Sequence, residues 1–194
     1  MGKVVAGVYV SLDGVVESGW TGKSPAISPT DPLTSPYFND PEVQQAVGSL
    51  MAGNKAMLIG RRTYEGFVPF FTGQSGPYFD AVNAMPKYVV STTLEKADWS
   101  NTTVLGGNLV QEITELKSEI DGQIGVGGSA SLVRWLLAEK LLDELHLLVF
   151  PLILGGDGAR LYRPDQPPGV LKLTSSQTLA NGVINLGYVP APSS

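Results

Sequence analysis

The chain has 194 residues, a net charge of −5 and an isoelectric point of about 4.8. That balance argues against a broad nucleic-acid surface or an anionic-membrane surface, both of which need clustered Lys and Arg. It has no cysteine and a single histidine, His146, which excludes disulfides, thiolate metal sites and thiol catalysis and would leave a His-based metal site resting on one imidazole. With 43 % hydrophobic residues the chain can bury one substantial core, so a single domain over residues 1–194 is expected.

The N-terminus runs directly into a strand-like segment with no export signal, and no apolar run approaches the roughly 20 residues of a membrane span. A cytoplasmic protein that meets a small molecule, with no nucleic-acid or membrane partner, is the expectation.

Val4–Leu12 is β-branched and apolar, as in a buried strand, and Asp13–Gly14 ends it as a turn. A long Gly/Pro/Ser/Thr-rich stretch follows to Pro41 and carries Trp20, Tyr37 and Phe38. Loops of that length in a compact domain are usually binding loops or lids. Asp40 caps a helix over Pro41–Gly53, with Pro at its first position. Lys55–Gly60 reads as a strand, Arg61–Phe67 as a short helix, and Val82 and Met85 sit on another before Pro86. Lys87–Thr92 and Thr102–Leu105 are strands. Asn108 and Gln111 make a capping-box pattern for a helix with Leu109, Ile113, Leu116 and Ile120 on its buried stripe. Gln123–Gly127 is a strand, Ser131–Leu142 a helix, and Glu144–Leu154 a strand that stops or bends at Pro151. Two final segments joined by Ala180-Asn181-Gly182 form an antiparallel pair. This order implies an α/β fold with a mixed, mostly parallel sheet, helices on its faces and a C-terminal hairpin.

Three strand ends carry chemistry suited to phosphate. Gly125, Gly127 and Ala130 match the dinucleotide pattern G-x-G-x-x-G/A. The match lies late in the chain, and the next strand ends in "VFPLIL" without the acid a Rossmann fold places there, so that fold is excluded. Glycines before a helix start still allow a pyrophosphate to approach backbone N–H groups. The alternative is a tight connection capped by Ser129 or Ser131. "IGRRTYE" repeats the arrangement: Gly60, then Arg61, Arg62 and Thr63 where a helix opens. Two cations there oppose the helix dipole unless an anion lies near, and Arg suits the 2′-phosphate that separates NADP from NAD. "VVSTT" delivers Ser91 and Thr92 at a third strand end.

Together, "VSLDG", "LIGRRTYE", "KYVVSTTL" and "VGGSASLVRWLL…LLDELHLLVFPLILGGDGARLY" resemble bacterial dihydrofolate-reductase-like proteins related to the C-terminal reductase domain of riboflavin biosynthesis. The resemblance runs from about Lys3 to Val189. It implies a three-layer, dihydrofolate-reductase-like fold, an eight-stranded sheet with NADPH across its strand ends, and a homodimer. Carried over, Gly60, Arg61, Arg62 and Thr63 would meet the cofactor phosphates. Ser91 and Thr92 would lie on the 2′-phosphate side, and Gly127, Gly128, Ser129 and Ala130 would wrap the pyrophosphate. Leu12–Val16 would border the nicotinamide, and the Trp20 loop would cover the substrate.

Two departures bear on the substrate. The acid that meets the pterin in dihydrofolate reductases falls here at about Gln44, with Asp40 and Glu42 near but out of register. The glutamate that riboflavin reductases carry before the cofactor turn is replaced by Val126–Gly127. The expected activity is NADPH-dependent hydride transfer to a small conjugated ring, pterin- or pyrimidine-like. A ligand-binding module on the same fold is the alternative. Asp13 is either a proton relay beside the nicotinamide or a turn residue in "LDGV". Asp40, Glu42 and Trp20 are the candidate substrate contacts. Ser129 in "GSAS" lacks the last glycine of a hydrolase elbow, and His146 reads as a structural strand residue.

Overall fold

The computed structural model describes residues 1–16, 26–164, 166 and 168–191. The strands are β1 (Lys3–Ser11), β2 (Asn54–Gly60), β3 (Lys87–Val90), β4 (Thr102–Leu105), β5 (Gln123–Gly127), β6 (Glu144–Phe150), β7 (Leu171–Thr178) and β8 (Ile184–Pro190). The helices are α1 (Ser35–Phe38), α2 (Pro41–Ala52), α3 (Arg61–Thr72), α4 (Pro77–Ala84), α5 (Leu109–Glu119) and α6 (Ala130–Ala138). All eight strands form one sheet in the order β4-β3-β2-β5-β1-β6-β8-β7. The first six run parallel to one another, and β8 pairs antiparallel with both β6 and β7. This is the mixed, mostly parallel sheet with a C-terminal hairpin that the sequence implies.

Alternation along the central strands divides two layers of core. Val4, Ala6 and Val8 of β1 pack with α5 and α6 through Ile113, Val133 and Leu136. On the other face Met57 and Ile59 of β2 pack with Tyr64 and Phe71 of α3, and Leu148 and Phe150 of β6 pack with Val43 of α2. Near-continuous apolar strands are what a parallel sheet covered on both faces requires.

Several boundaries differ from the sequence expectation, each for a local reason. Helix α3 does not stop at Phe67 but runs through Pro69 to Thr72. Proline forfeits one helical hydrogen bond, and the packing of Phe67, Phe70 and Phe71 against each other and the layer below offsets it. Helix α6 ends at Ala138 rather than Leu142. Lys140 adopts a left-handed φ of 58°, Leu141 N–H donates to the Leu136 carbonyl (2.8 Å) and Lys140 N–H to that of Leu137 (3.2 Å). That is a Schellman stop with lysine where glycine is usual. Asn108 caps α5 as expected, yet Gln111 bonds Glu115 instead of reaching back, so the box is half formed. Part of the long loop is built: Thr34 Oγ1 donates to the carbonyls of Ala26 (3.0 Å) and Ser28 (2.7 Å), and Asp31 accepts from Ala26 N–H (3.1 Å) and Leu33 N–H (2.9 Å). Strand β6 stops at Phe150, before Pro151.

Lys87 is fully buried at 0 % exposure. Its Nζ donates to the carbonyls of Val82 (3.2 Å), Asn83 (2.8 Å) and Met85 (2.7 Å) at the C-terminal end of α4. It also lies 4.5 Å from the centroid of the Trp99 ring. Burial pulls its pKa down to about 8, while the carbonyl oxygens and the ring face favour the ammonium form. Replacing Lys87 with Met keeps the apolar stem and strands three carbonyls. The expected cost is about 1–3 kcal/mol, read as a lower urea midpoint at neutral pH. An unchanged midpoint would show that α4 does not depend on the ammonium group.

Candidate functional site

Strands β1 and β5 are adjacent and parallel, but the chain leaves them toward opposite faces. After β1 the next long helix is α2, reached through a loop and α1, and its Leu50 lies over Gly7; after β5 the chain enters α6, which packs in the other layer. A sheet opens a crevice at such a switch point, beyond the carboxyl ends of its strands. The ends of β3, β2 and β5 stand side by side next to it, in the order β3-β2-β5-β1. The three phosphate-suited segments of the sequence are therefore neighbours in space.

Two of them interlock. Gly128 has φ 59° and Ser129 φ 55°, so the turn after β5 is left-handed at two successive residues. A Cβ on Gly128 would lie 3.1 Å from Thr63 Oγ1, and one on Gly60 would lie 2.5 Å from Ser129 Oγ. Glycine at both positions lets the turns approach this closely without displacing the Thr63 or Ser129 side chain, and the left-handed φ of Gly128 favours glycine there in any case. Ser129 sits at the N-cap of α6 but its hydroxyl makes no capping bond, which corrects the reading of Ser129 or Ser131 as the cap. Gly60 likewise gives α3 no side-chain cap, and neither helix carries an acid in its first turn. The other helices of eight residues or more differ. Asp40 and Glu42 serve α2, Asp80 serves α4, and Asn108 and Glu112 serve α5. First-turn N–H groups without a cap or an acid are the arrangement that favours an external anion.

Arg61 is exposed and pairs with Glu65 across one helical turn at 3.5 Å. Arg62 is exposed, and its side chain makes no ion pair or hydrogen bond among the described residues. Beside them, Ser91 is buried and its hydroxyl accepts from the N–H groups of Thr93 (3.2 Å) and Leu94 (2.9 Å), holding its own loop. Thr92 is exposed at the tip. A Cβ on Gly106 would lie 2.6 Å from the Ser91 carbonyl oxygen, so the loop after β4 backs directly onto this one.

The segment after β1 forms the far wall. Asp13 Oδ1 accepts from the Ser11 hydroxyl (2.6 Å) and Leu154 N–H (3.1 Å), and Oδ2 accepts from Gly155 N–H (2.8 Å). The glycine-rich loop after β6 thus binds an anion supplied by the chain itself. These bonds, the Ser11 hydroxyl foremost, lower the Asp13 pKa from the ordinary carboxylate value to about 2. Asp40 accepts from Glu42 N–H (2.9 Å) as the cap of α2, and Glu42 accepts from Ala180 N–H (2.7 Å) in the hairpin turn. The expected substrate contact at Trp20 lies outside the described residues.

Tyr9 was not singled out by the sequence. It stands on β1 two residues beyond Gly7, the partner of Gly127 at the end of β5, and so past the last pair of that ladder. Its ring is edge-on to Phe38 (5.0 Å) and Phe150 (6.1 Å). Burial pushes its pKa to about 12, so the phenol is protonated at neutral pH and able to donate a hydrogen bond. An aromatic in an apolar strand reads as core; only the strand order shows that it lies past the end of β5.

Asp13 also sets an acid dependence. Its folded pKa is depressed, so the stability it contributes is present above its ordinary pKa and is lost as pH falls through the folded value of about 2. Between about pH 4 and pH 2 the wild type should lose stability faster than Asp13→Asn. Parallel acid-denaturation curves would show that the carboxylate is not clamped.

Comparison with known proteins agrees with this fold. The family model described as the RibD C-terminal domain matches residues 2–185. The uncharacterized protein YyaP of Bacillus subtilis is 23 % identical over 196 residues, covering 96 % of this chain and 94 % of that protein. A putative riboflavin biosynthesis protein from Shewanella sp. PV-4 superposes with a TM-score of 0.70 at 20 % identity, covering 98 % of this chain and 99 % of the other. Dihydrofolate reductase from Enterococcus faecalis, solved with NADP(H), gives 0.62 at 15 % identity over 98 % and 97 %. A pyrimidine reductase-like protein from Corynebacterium diphtheriae gives 0.66 at 14 % identity over 98 % and 92 %. These structures share the dihydrofolate-reductase-like fold, and by the family match along nearly its whole length the chain belongs to the RibD C-terminal domain family.

Proposed function

We propose that the protein is an NADPH-dependent reductase acting on a small conjugated heterocycle. The observation that carries this reading is the pair of interlocked glycine turns, Gly60–Thr63 and Gly127–Ala130. Beneath them lie the two longer helix starts that have neither a side-chain cap nor an acid. The dinucleotide's pyrophosphate fits that cradle, where backbone N–H groups and helix dipoles compensate its charge. Arg61 and Arg62 would face the 2′-phosphate, with Ser91 and Thr92 on the same side. Leu12–Val16 would border the nicotinamide. The reduced nicotinamide supplies a hydride when bound; the chain's own task is to orient the ring and keep water from it.

The substrate's ring would lie in the crevice by Tyr9, whose protonated phenol can donate to a carbonyl or ring nitrogen. Asp13 holds its proton too weakly to be the acid at neutral pH. In this reading it therefore anchors the wall, and the proton comes from another donor or from water. The chain is expected to work in the cytoplasm, as a homodimer.

A second reading, a binding module that holds the dinucleotide without turnover, is favoured by one observation. All three acids expected near the substrate, Asp13, Asp40 and Glu42, spend their carboxylates on backbone N–H groups.

Thermal denaturation with NADPH, NADP and NADH tests the cofactor. Ligand at 100 times its Kd stabilises by about 2.7 kcal/mol, so a clear rise in Tm is expected, larger with NADPH than with NADH. No shift with any of the three would remove the assignment. The double change Arg61→Ala/Arg62→Ala should cost NADPH about 10-fold or more in affinity, in line with charge-assisted hydrogen bonds, and leave NADH within about twofold. Equal losses would mean that these arginines do not read the 2′-phosphate.

A further inference from the structure

We infer that Arg160 is a positioning residue that ties the nicotinamide-side wall to the helix carrying the phosphate turn, so that both ends of the dinucleotide are held in one register. The inference rests on the cofactor reading above. It comes from a continuous set of contacts between parts of the chain that are remote in sequence.

The Arg160 guanidinium donates through Nη1 to the Asp13 carbonyl oxygen and stands 3.8 Å from the Asp13 carboxylate. Its backbone completes a short antiparallel ribbon. Val15 and Arg160 form a bridge, Val16 N–H donates to the Ala159 carbonyl (2.7 Å) and Leu161 N–H to that of Gly14 (3.1 Å). From the other side, Arg134 Nη1 in the middle of α6 donates to the Arg160 carbonyl (2.7 Å) and to the Leu161 carbonyl (3.4 Å). The path therefore runs from the Gly128–Ser129 turn along α6 to Arg134, across to Arg160, and through its guanidinium to the backbone of Asp13. Leu161 is buried at 3 % exposure in the same core layer as Leu132 and Val133 of α6, so packing supports the same path.

Leu12 is 62 % exposed, and beyond the strand its backbone is held by the Ser11–Asp13–Val15 turn and by Leu152. Without the guanidinium, Asp13 keeps its Leu154 and Gly155 partners, so the turn survives, but the link from Asp13 to α6 through this side chain is cut. A charged side chain aimed at a main-chain carbonyl and not centred on the nearby carboxylate fits the fixing of backbone position better than a simple ion pair.

The account predicts a split between two probes. NADPH spans both ends of the site; 2′-phospho-ADP-ribose carries the same phosphates without the nicotinamide. Arg160→Ala should weaken NADPH about 10-fold or more, as loss of a charge-assisted contact does, and leave 2′-phospho-ADP-ribose within about twofold, both measured by calorimetry. Arg160→Lys keeps the cation and one donor direction, and should recover part of the NADPH affinity. Arg134→Met should give the same split at smaller size. A purely structural role would lower Tm and weaken both probes alike, and that result, or no change for either, would overturn the inference. If Arg160→Ala does not fold, the split is read on Arg160→Lys and Arg134→Met. Wild-type protein that binds neither probe would instead overturn the cofactor reading itself. Wild type that binds both, with unsplit variants, would overturn only the role of Arg160.

Discussion

The site depends on one topological constraint: β1 and β5 lie side by side and parallel, yet feed helices on opposite faces of the sheet. At such a switch point the backbone path alone favours a crevice beyond the strand ends, before any side chain is placed. Everything else is arranged around it. The neighbouring ends of β2 and β3 set a row of turns along one side, and the segment after β1, pinned by Asp13 and Arg160, forms the other. The apolar strands that make this possible are the same ones that form the two core layers, so the crevice and the stability of the sheet have a common origin.

Electrostatics then separates this edge from the rest of the surface. The chain is acidic overall, and some of its carboxylates serve backbone N–H groups or helix starts: Asp40 caps α2, Asp13 holds the loop after β6, and Asp80 lies in the first turn of α4. Only α3 and α6, among the described helices of eight residues or more, begin without such help. In the proposed reading, these two positive helix ends and the two arginines beside them would form a local anion site that net charge does not reveal.

How much of this was legible in the sequence follows from where each signal lies. The strands were legible because β-branched runs bounded by glycine and proline have few other readings. The glycine turns were legible because their residues form a local pattern, and a Cβ at Gly60 or Gly128 would crowd a side chain of the opposite turn. What was hidden depends on partners far along the chain. Asp13 looks the same in "LDGV" whether it relays a proton or grips Leu154 and Gly155, and only the fold brings that loop to it. Tyr9 reads as core until β5 is seen to end before it. Arg160 lies in a plain glycine-rich connection, with no local pattern to mark its contact with Asp13. Two boundaries were missed because the chain breaks a local preference, with Lys140 taking a glycine's conformation and Pro69 staying inside a helix.

The central claim is that the three adjacent strand ends are one dinucleotide site. Titration of isotope-labelled protein with NADP, followed by backbone amide chemical shifts, tests it most directly. The account predicts that the largest changes fall together on Gly60–Thr63, Ser91–Thr92 and Gly127–Ala130, saturating with one common Kd. Changes confined elsewhere would contradict it, for instance in the polar groove between α2 and the β7–β8 hairpin lined by Gln45, Gln177 and Asn185. So would three groups of shifts that saturate independently.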